Sequence, residues 1–134
     1  MGLVLVSHSE QVAAGLGAIV AQFGGSDVPV ALAGGTEDGR IGTTAPRIVA
    51  AIRSVLDDGA EGALVLLDFG SALLSLEVAF EMLEPDLRSR VRVSDAPLVE
   101  GAFLAGVQAS TGASLDEVAE AARGWQSIPK ATEA

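Results

Sequence analysis

The chain has 134 residues, 49% of them apolar, carries 8 basic against 18 acidic residues for a net charge of −10, and contains no cysteine. That length suits one domain around a single core rather than two, and the negative charge repels duplex nucleic acid and anionic membrane surfaces. A chain of that charge has a basic protein as its natural partner. The lack of cysteine removes disulfides, thiolate nucleophiles and cysteine metal sites together, so any chemistry falls to other side chains.

Met1 to Val6 reads as a strand and not as a targeting leader, and no apolar run approaches the roughly 18 residues of a membrane span. A soluble, cytoplasmic protein is the expectation. Leu3 to Val6 is apolar at every position, as a strand covered on both faces must be. The first helix is expected from about Ser9 to Phe23, where Val12, Leu16, Ile19, Val20 and Phe23 recur at helical spacing before the stop at Gly24-Gly25. A second strand covers Val28 to Leu32. The second helix begins near Thr44 with Pro46 in its first turn, carries Ile48, Ile52, Val55 and Leu56 on one stripe, and ends at Asp57-Asp58-Gly59. Its other face, with Arg47 and Arg53, is expected in solvent.

Ala63 to Leu67 forms the third strand. The third helix, about Ala72 to Glu84 and closed by Pro85, is apolar over an unusual breadth: Leu73, Leu76, Phe80 and Leu83 make one stripe, and Leu74, Val78 and Met82 a second. Either the second stripe is a subunit interface or the last helix covers it. Val91 to Val93 is the fourth strand. A helix from about Asp95 and Pro97 follows, rich in small residues (Gly101, Ala102, Ala105, Gly106, Ala109) that allow close packing. The fifth helix opens on a capping box, Ser114 with Glu117, and carries Leu115, Val118, Ala122 and Trp125 on one face. The domain is expected over residues 1–126, with 127–134 a short tail. Strands and helices thus alternate, which favours an α/β fold, a mostly parallel sheet between two helical layers.

Such a sheet binds ligands outside the carboxyl ends of its strands. The loops there are Ser7-His8-Ser9-Glu10, Ala33-Gly34-Gly35-Thr36 and Asp68-Phe69-Gly70-Ser71, and they converge if the first and third strands are neighbours. His8 is the one histidine, expected in the first turn of the first helix, where the amide groups and the dipole favour an anion and the neutral, nucleophilic ring. Either Ser7 with Glu10 forms a capping box there or Ser9 is the cap. Asp68 ends an otherwise apolar strand; either it partners His8, holding Nδ1–H so that Nε2 is bare for attack, or it only caps the next helix. His8 and Asp68 are the candidate catalytic pair. Ser9, Gly35, Thr36, Thr43, Gly70 and Ser71 are the candidate phosphoryl-binding groups, offering amides and hydroxyls; the competing reading makes them ordinary turn glycines and helix caps. No carboxylate spacing accompanies His8, so no metal site is expected, and no glycine-rich nucleotide loop is present.

The segments Leu-Val-Leu-Val-Ser-His-Ser, Gly-Gly-Thr, Ile-Gly-Thr-Thr, Leu-Leu-Asp-Phe-Gly-Ser-Ala and Asp-Ala-Pro-Leu-Val-Glu-Gly-Ala occur in that order from Gly2 to Gly112. Together they resemble the phosphocarrier subunits of phosphoenolpyruvate-dependent dihydroxyacetone kinases, whose enzyme IIA domain is of the mannose type. The resemblance implies a three-layer αβα sandwich with sheet order 2-1-3-4 and a short antiparallel edge strand, the fifth, over Gly124 to Lys130, in a homodimer. It implies that the phosphocarrier protein HPr phosphorylates His8, and that a covalent phosphohistidine, with no permanently bound cofactor, is the intermediate. The phosphoryl group then passes to ADP on the nucleotide-binding subunit, and the ATP formed phosphorylates dihydroxyacetone on the third subunit. The family's motif aspartate falls on Asp68, and Phe69 stands where leucine is usual, an exchange expected to leave the site undisturbed. Some relatives carry fused HPr and enzyme I-like domains; a chain this short is expected to use a separate HPr.

Mannose and sorbose enzymes IIA share the fold and the histidine but serve sugar uptake, and Pro-Leu-Val-Glu-Gly-Ala favours the kinase system over them. A regulatory module that binds an anion without covalent chemistry would use the same crevice and form no phosphoprotein. A scaffold would use the broad apolar helix and leave the crevice empty.

Overall fold

A computed structural model describes residues 1–131. Its elements run β1 (Gly2–Ser7), α1 (Glu10–Gly24), β2 (Val30–Gly34), α2 (Ala45–Asp57), β3 (Ala63–Leu67), α3 (Ala72–Met82), α4 (Pro85–Arg88), β4 (Val91–Val93), α5 (Leu98–Ala109) and α6 (Leu115–Ala122), followed by a 3-10 helix over Arg123–Ser127. The four strands form one sheet in the order β2-β1-β3-β4, every pair parallel. The two strands β1 and β3, apolar apart from Ser7 at the end of β1, sit at its centre, where helices cover both faces.

Side chains alternate across the pleat, so the sheet divides its apolar residues between two cores. Val4, Val6 and Val65 pack with Ile48, Ile52 and Val55 of α2 and Leu76 of α3. On the other face Leu3, Leu5, Leu64 and Leu66 pack with Leu16 and Val20 of α1, Ala102 and Ala105 of α5 and Val118 of α6. Burying each such Val, Leu or Ile contributes about 1.5–3 kcal/mol before chain entropy is set against it. The small residues of α5 do what their size suggests: a Cβ on Gly24 would stand 2.9 Å from the Gly106 carbonyl oxygen, and one on Gly106 only 2.8 Å from Val20. Contact between α1 and α5 is therefore nearly backbone to backbone.

Four expectations need correction. The buried strip of α1 is Ala13, Leu16, Val20 and Gly24, whereas Val12, Ile19 and Phe23 stay largely exposed; small residues let the helix sit so close that its bulkier neighbours remain outside, with Phe23 edge-on to Phe103 at 5.2 Å. Strand β2 starts at Val30 and not Val28, although Val28 is buried. On α3, Leu74, Val78 and Met82 are exposed, and α6 does not cover them: Val118, Ala119 and Ala122 pack into the opposite core with α5. Finally, the sheet has no antiparallel strand among the described residues. Arg123–Ser127 instead continues α6 as a 3-10 helix, because Trp125 prolongs the apolar stripe onto the α5 core and Lys130 beyond it pairs with Glu100. Residues 132–134 of the expected tail lie outside the described residues. No helix among those described is long and apolar enough to cross a membrane.

Candidate functional site

Parallel pairing of β1 with β3 builds the site. Val6 lies opposite Leu67, so one step further the chain ends bring Ser7 and His8 beside Asp68. The fully buried Ser7 donates its hydroxyl to Asp68 Oδ2 at 2.9 Å and accepts the Ser9 N–H at 3.0 Å. The His8 N–H also reaches Asp68 Oδ2, at 2.9 Å. The other carboxylate oxygen, Oδ1, lies 2.9 Å from His8 Nδ1 and accepts the Phe69 N–H at 2.7 Å. One carboxylate thus takes four donors.

Those donors decide its charge. Burial by itself would raise the Asp68 carboxyl, but the hydrogen bonds from the His8 amide and ring, from Ser7 and from the Phe69 amide outweigh it and hold the group below the usual carboxylate range. An ionised carboxylate can only accept, so the proton of the neutral ring belongs on Nδ1 and the lone pair on Nε2. Nε2 meets Ser71 Oγ at 2.9 Å, and with the lone pair there the serine hydroxyl is the donor. His8 and Asp68 keep side-chain exposures of 20% and 15%: the ring is held from behind while its Nε2 edge opens to solvent. A neutral imidazole oriented in this way is a nucleophile whose developing positive charge has a carboxylate waiting for it.

The cap at α1 is Ser9, whose side chain accepts from the Val12 N–H at 3.2 Å. His8 therefore precedes the cap and does not lie in the first turn as expected, because Ser7 is committed to β1 and to Asp68. Ser71 stands at the N-cap of α3. Among the described residues the Gly70 and Ser71 amides donate to no protein acceptor, and they lie next to the hydroxyl that meets Nε2.

The β2–α2 loop supports the site from the other side. The Gly35 N–H donates to the Ser7 carbonyl at 3.1 Å and the Gly42 N–H to the His8 carbonyl at 2.9 Å. Gly35 has φ +69°, in the left-handed region where glycine is favoured. Thr36 turns inward to its own loop, its hydroxyl on Asp38 Oδ1 at 2.5 Å and its N–H on the Arg40 carbonyl at 3.0 Å. Thr43 shares a 2.7 Å hydroxyl contact with Ser75 of α3. His8, Asp68 and Ser71 are thus joined directly, with Gly70 beside them; Ser9, Gly35, Thr36 and Thr43 make no hydrogen bond to the imidazole and shape the loops around it. Arg47, expected in solvent, is partly buried and donates to the Gly34 carbonyl at 3.3 Å.

Two residues of the site have roles that local sequence does not disclose. Local spacing offers Ser7 only as a possible helix cap; a serine ending an apolar strand is its one signal. The family resemblance makes Phe69 a neutral exchange, yet its ring centroid lies 5.2 Å from that of His8, tilted by 56°, and the residue is 66% exposed.

Comparison with known proteins agrees with this architecture. The chain is 45% identical over 121 residues to the phosphoryl donor subunit DhaM of the PEP-dependent dihydroxyacetone kinase of Escherichia coli (strain K12), a match covering 88% of this chain and 25% of that protein. It therefore spans about a quarter of the length of that relative. It is 39% identical over 118 residues to the DhaM subunit of the PEP-dependent dihydroxyacetone kinase 2 of Listeria innocua, covering 88% of this chain and 93% of that one. Among solved structures, the crystal structure of the unknown function protein EF1359 superposes with a TM-score of 0.80 at 32% identity, over 92% of this chain and 95% of the other. The family model EIIA-man, described as PTS system fructose IIA component, matches residues 2–119. The chain belongs to that EIIA-man family.

Proposed function

We propose that this chain is a phosphohistidine carrier, with His8 accepting a phosphoryl group from HPr and passing it to ADP held on the nucleotide-binding subunit of a dihydroxyacetone kinase. The single observation that carries the reading is the clamped imidazole: Nδ1 on the Asp68 carboxylate at 2.9 Å, Nε2 at the open edge with only a serine hydroxyl before it. The names of the relatives above support the kinase system over sugar uptake.

Loading forms a bond from Nε2 to phosphorus as the donor's phosphorus–nitrogen bond breaks, its electron pair returning to the donor ring. The imidazole becomes cationic, and Asp68 offsets that charge across the Nδ1–H bond. The Ser71 hydroxyl releases the lone pair and turns toward a phosphoryl oxygen, beside the Gly70 and Ser71 amides at the start of α3. Unloading reverses the roles: an oxygen of the terminal phosphate of ADP attacks phosphorus and the electron pair returns to Nε2. With a net charge of −10, a basic donor protein is steered to the surface in a salt-dependent manner. A homodimer and a cytoplasmic location belong to the same reading, with the exposed Leu74, Val78 and Met82 face of α3 as the surface a second copy would cover.

Incubation with phosphoenolpyruvate, enzyme I and HPr is expected to add one acid-labile phosphoryl group, absent from His8→Ala. Equal labelling of that variant would end the proposal. Transfer onward to an ADP-loaded kinase subunit separates the dihydroxyacetone system from a sugar transporter, which would leave the ADP untouched.

A further inference from the structure

We propose that Phe69 is a positioning and shielding residue, holding the His8 ring once Nε2 is phosphorylated and setting how long the phosphoryl group survives in water. This rests on the phosphocarrier reading. Phe69 belongs to neither apolar core and leaves 66% of its surface in solvent, so packing does not explain a phenylalanine there. What it touches is the imidazole, ring against ring at 5.2 Å and 56°, within the range where aromatic pairs attract.

The backbone under that ring is pinned on both sides. The Phe69 N–H donates to Asp68 Oδ1 at 2.7 Å, and its carbonyl accepts the Ala72 N–H at 3.0 Å. The carboxylate that orients His8 therefore also roots the aromatic residue beside it. In the free protein the imidazole is held along its edge at both nitrogens, by Asp68 and by Ser71. Phosphorylation uses the Nε2 lone pair and removes the Ser71 contact to it, leaving the ring hinged on Asp68 alone. Contact with Phe69 does not need that lone pair and persists.

The same ring, 5.2 Å from the imidazole centroid and exposed at the crevice, is the apolar group we assign to the shielding. In hydrolysis a water oxygen bonds to phosphorus as the phosphorus–Nε2 bond breaks, the electron pair returns to Nε2, and both hydrogens of the water leave in dihydrogen phosphate. An apolar ring packed on the imidazole takes up part of the space around the phosphorylated ring and offers water no hydrogen bond there.

The test loads His8 chemically with phosphoramidate, which needs no partner protein, and follows loss of the phosphoryl group with time. Phe69→Ala is expected to shorten the half-life roughly three- to tenfold, the rate change that one aromatic contact commands, while Phe69→Leu restores most of it through its apolar bulk. After unfolding in urea all three proteins are expected to lose phosphate at one common rate. In the unloaded protein, Phe69→Ala is expected to shift the His8 ring proton resonances by removing the aromatic ring current. An unchanged half-life in Phe69→Ala overturns the proposal, even where transfer to a protein acceptor slows, since Phe69 would then be a docking side chain. Unmoved His8 resonances overturn it as well. Loading by phosphoramidate but not by phosphoenolpyruvate, enzyme I and HPr would sink the carrier reading and leave the half-life comparison standing.

Discussion

Asp68 holds His8 twice: Oδ1 lies 2.9 Å from the ring nitrogen Nδ1, and Oδ2 takes the backbone N–H of the same residue at 2.9 Å. One side chain thereby fixes both the position of the histidine in the chain and the rotation of its ring. The carboxylate also sets the tautomer, which places the reactive lone pair at the open edge of the crevice.

Replacing Asp68 by Asn keeps the shape and removes the charge. Phosphoryl uptake by His8 is expected to slow roughly a hundredfold or more, because orientation and stabilisation of the imidazolium are lost together. Affinity for the donor is expected to change little, since the carboxylate presents almost no surface to a partner. Rapid-quench measurement of single-turnover phosphorylation reads the first quantity and titration calorimetry the second; an unaltered rate would take Asp68 out of the mechanism.

Ser7→Ala removes a buried donor from that carboxylate and the acceptor of the Ser9 N–H. A hydrogen bond to a charged group is worth about 1.5–3 kcal/mol, so a loss of that order is expected in urea unfolding. His8 and Ser71 remain in place, and phosphoryl uptake is expected to fall less than in Asp68→Asn. A variant as stable as the parent would show that Ser7 contributes nothing to the clamp.

Acid stability has a definite sign. The folded Asp68 carboxyl titrates below its ordinary value of 3.8, so its contribution is fully present above that value and is lost as pH falls through the lower folded one. The unfolded state binds the proton first. Below the ordinary value the unfolding free energy of the parent is expected to fall with pH more steeply than that of Asp68→Asn, the two slopes meeting toward neutral pH. Parallel slopes throughout the acid range would mean that the carboxyl titrates alike in both states.

Val78→Glu tests the uncovered face of α3. Val78 is 50% exposed, so a charge there costs the protomer little, whereas in a subunit interface it would be buried without a partner. Sedimentation at low micromolar concentration is expected to show a dimer for the parent and a monomer for the variant. A monomeric parent would remove the interface.

Much of this architecture was legible in the residues. Strands β3 and β4 fall where expected because short apolar runs with clear stops leave few choices, and the start of α6 follows from the Ser114–Glu117 capping box, found with both its bonds. Asp68 stood out because a carboxylate ending an apolar strand needs a partner. In α1 periodicity marks which residues are apolar, but how closely the helix approaches its neighbours depends on Gly24 meeting Gly106, a contact made with α5. The third helix shows the same limit: spacing marks its second stripe as apolar, but only the packed fold, with α6 on the other face of the sheet, excludes α6 as its cover.

Alternation of strands and helices, two largely apolar strands and one histidine after a strand are set by local spacing and composition. Which residues meet is set by packing over long chain distances. His8 and Asp68 are 60 positions apart, and nothing local to either specifies the other; the parallel register of β1 on β3 does, by aligning the ends of the two strands. That same alignment turned Ser7 from a possible cap into a buttress and put an aromatic ring against the imidazole, since short-range polar and aromatic contacts form only between groups that the packed sheet has already brought within a few ångströms.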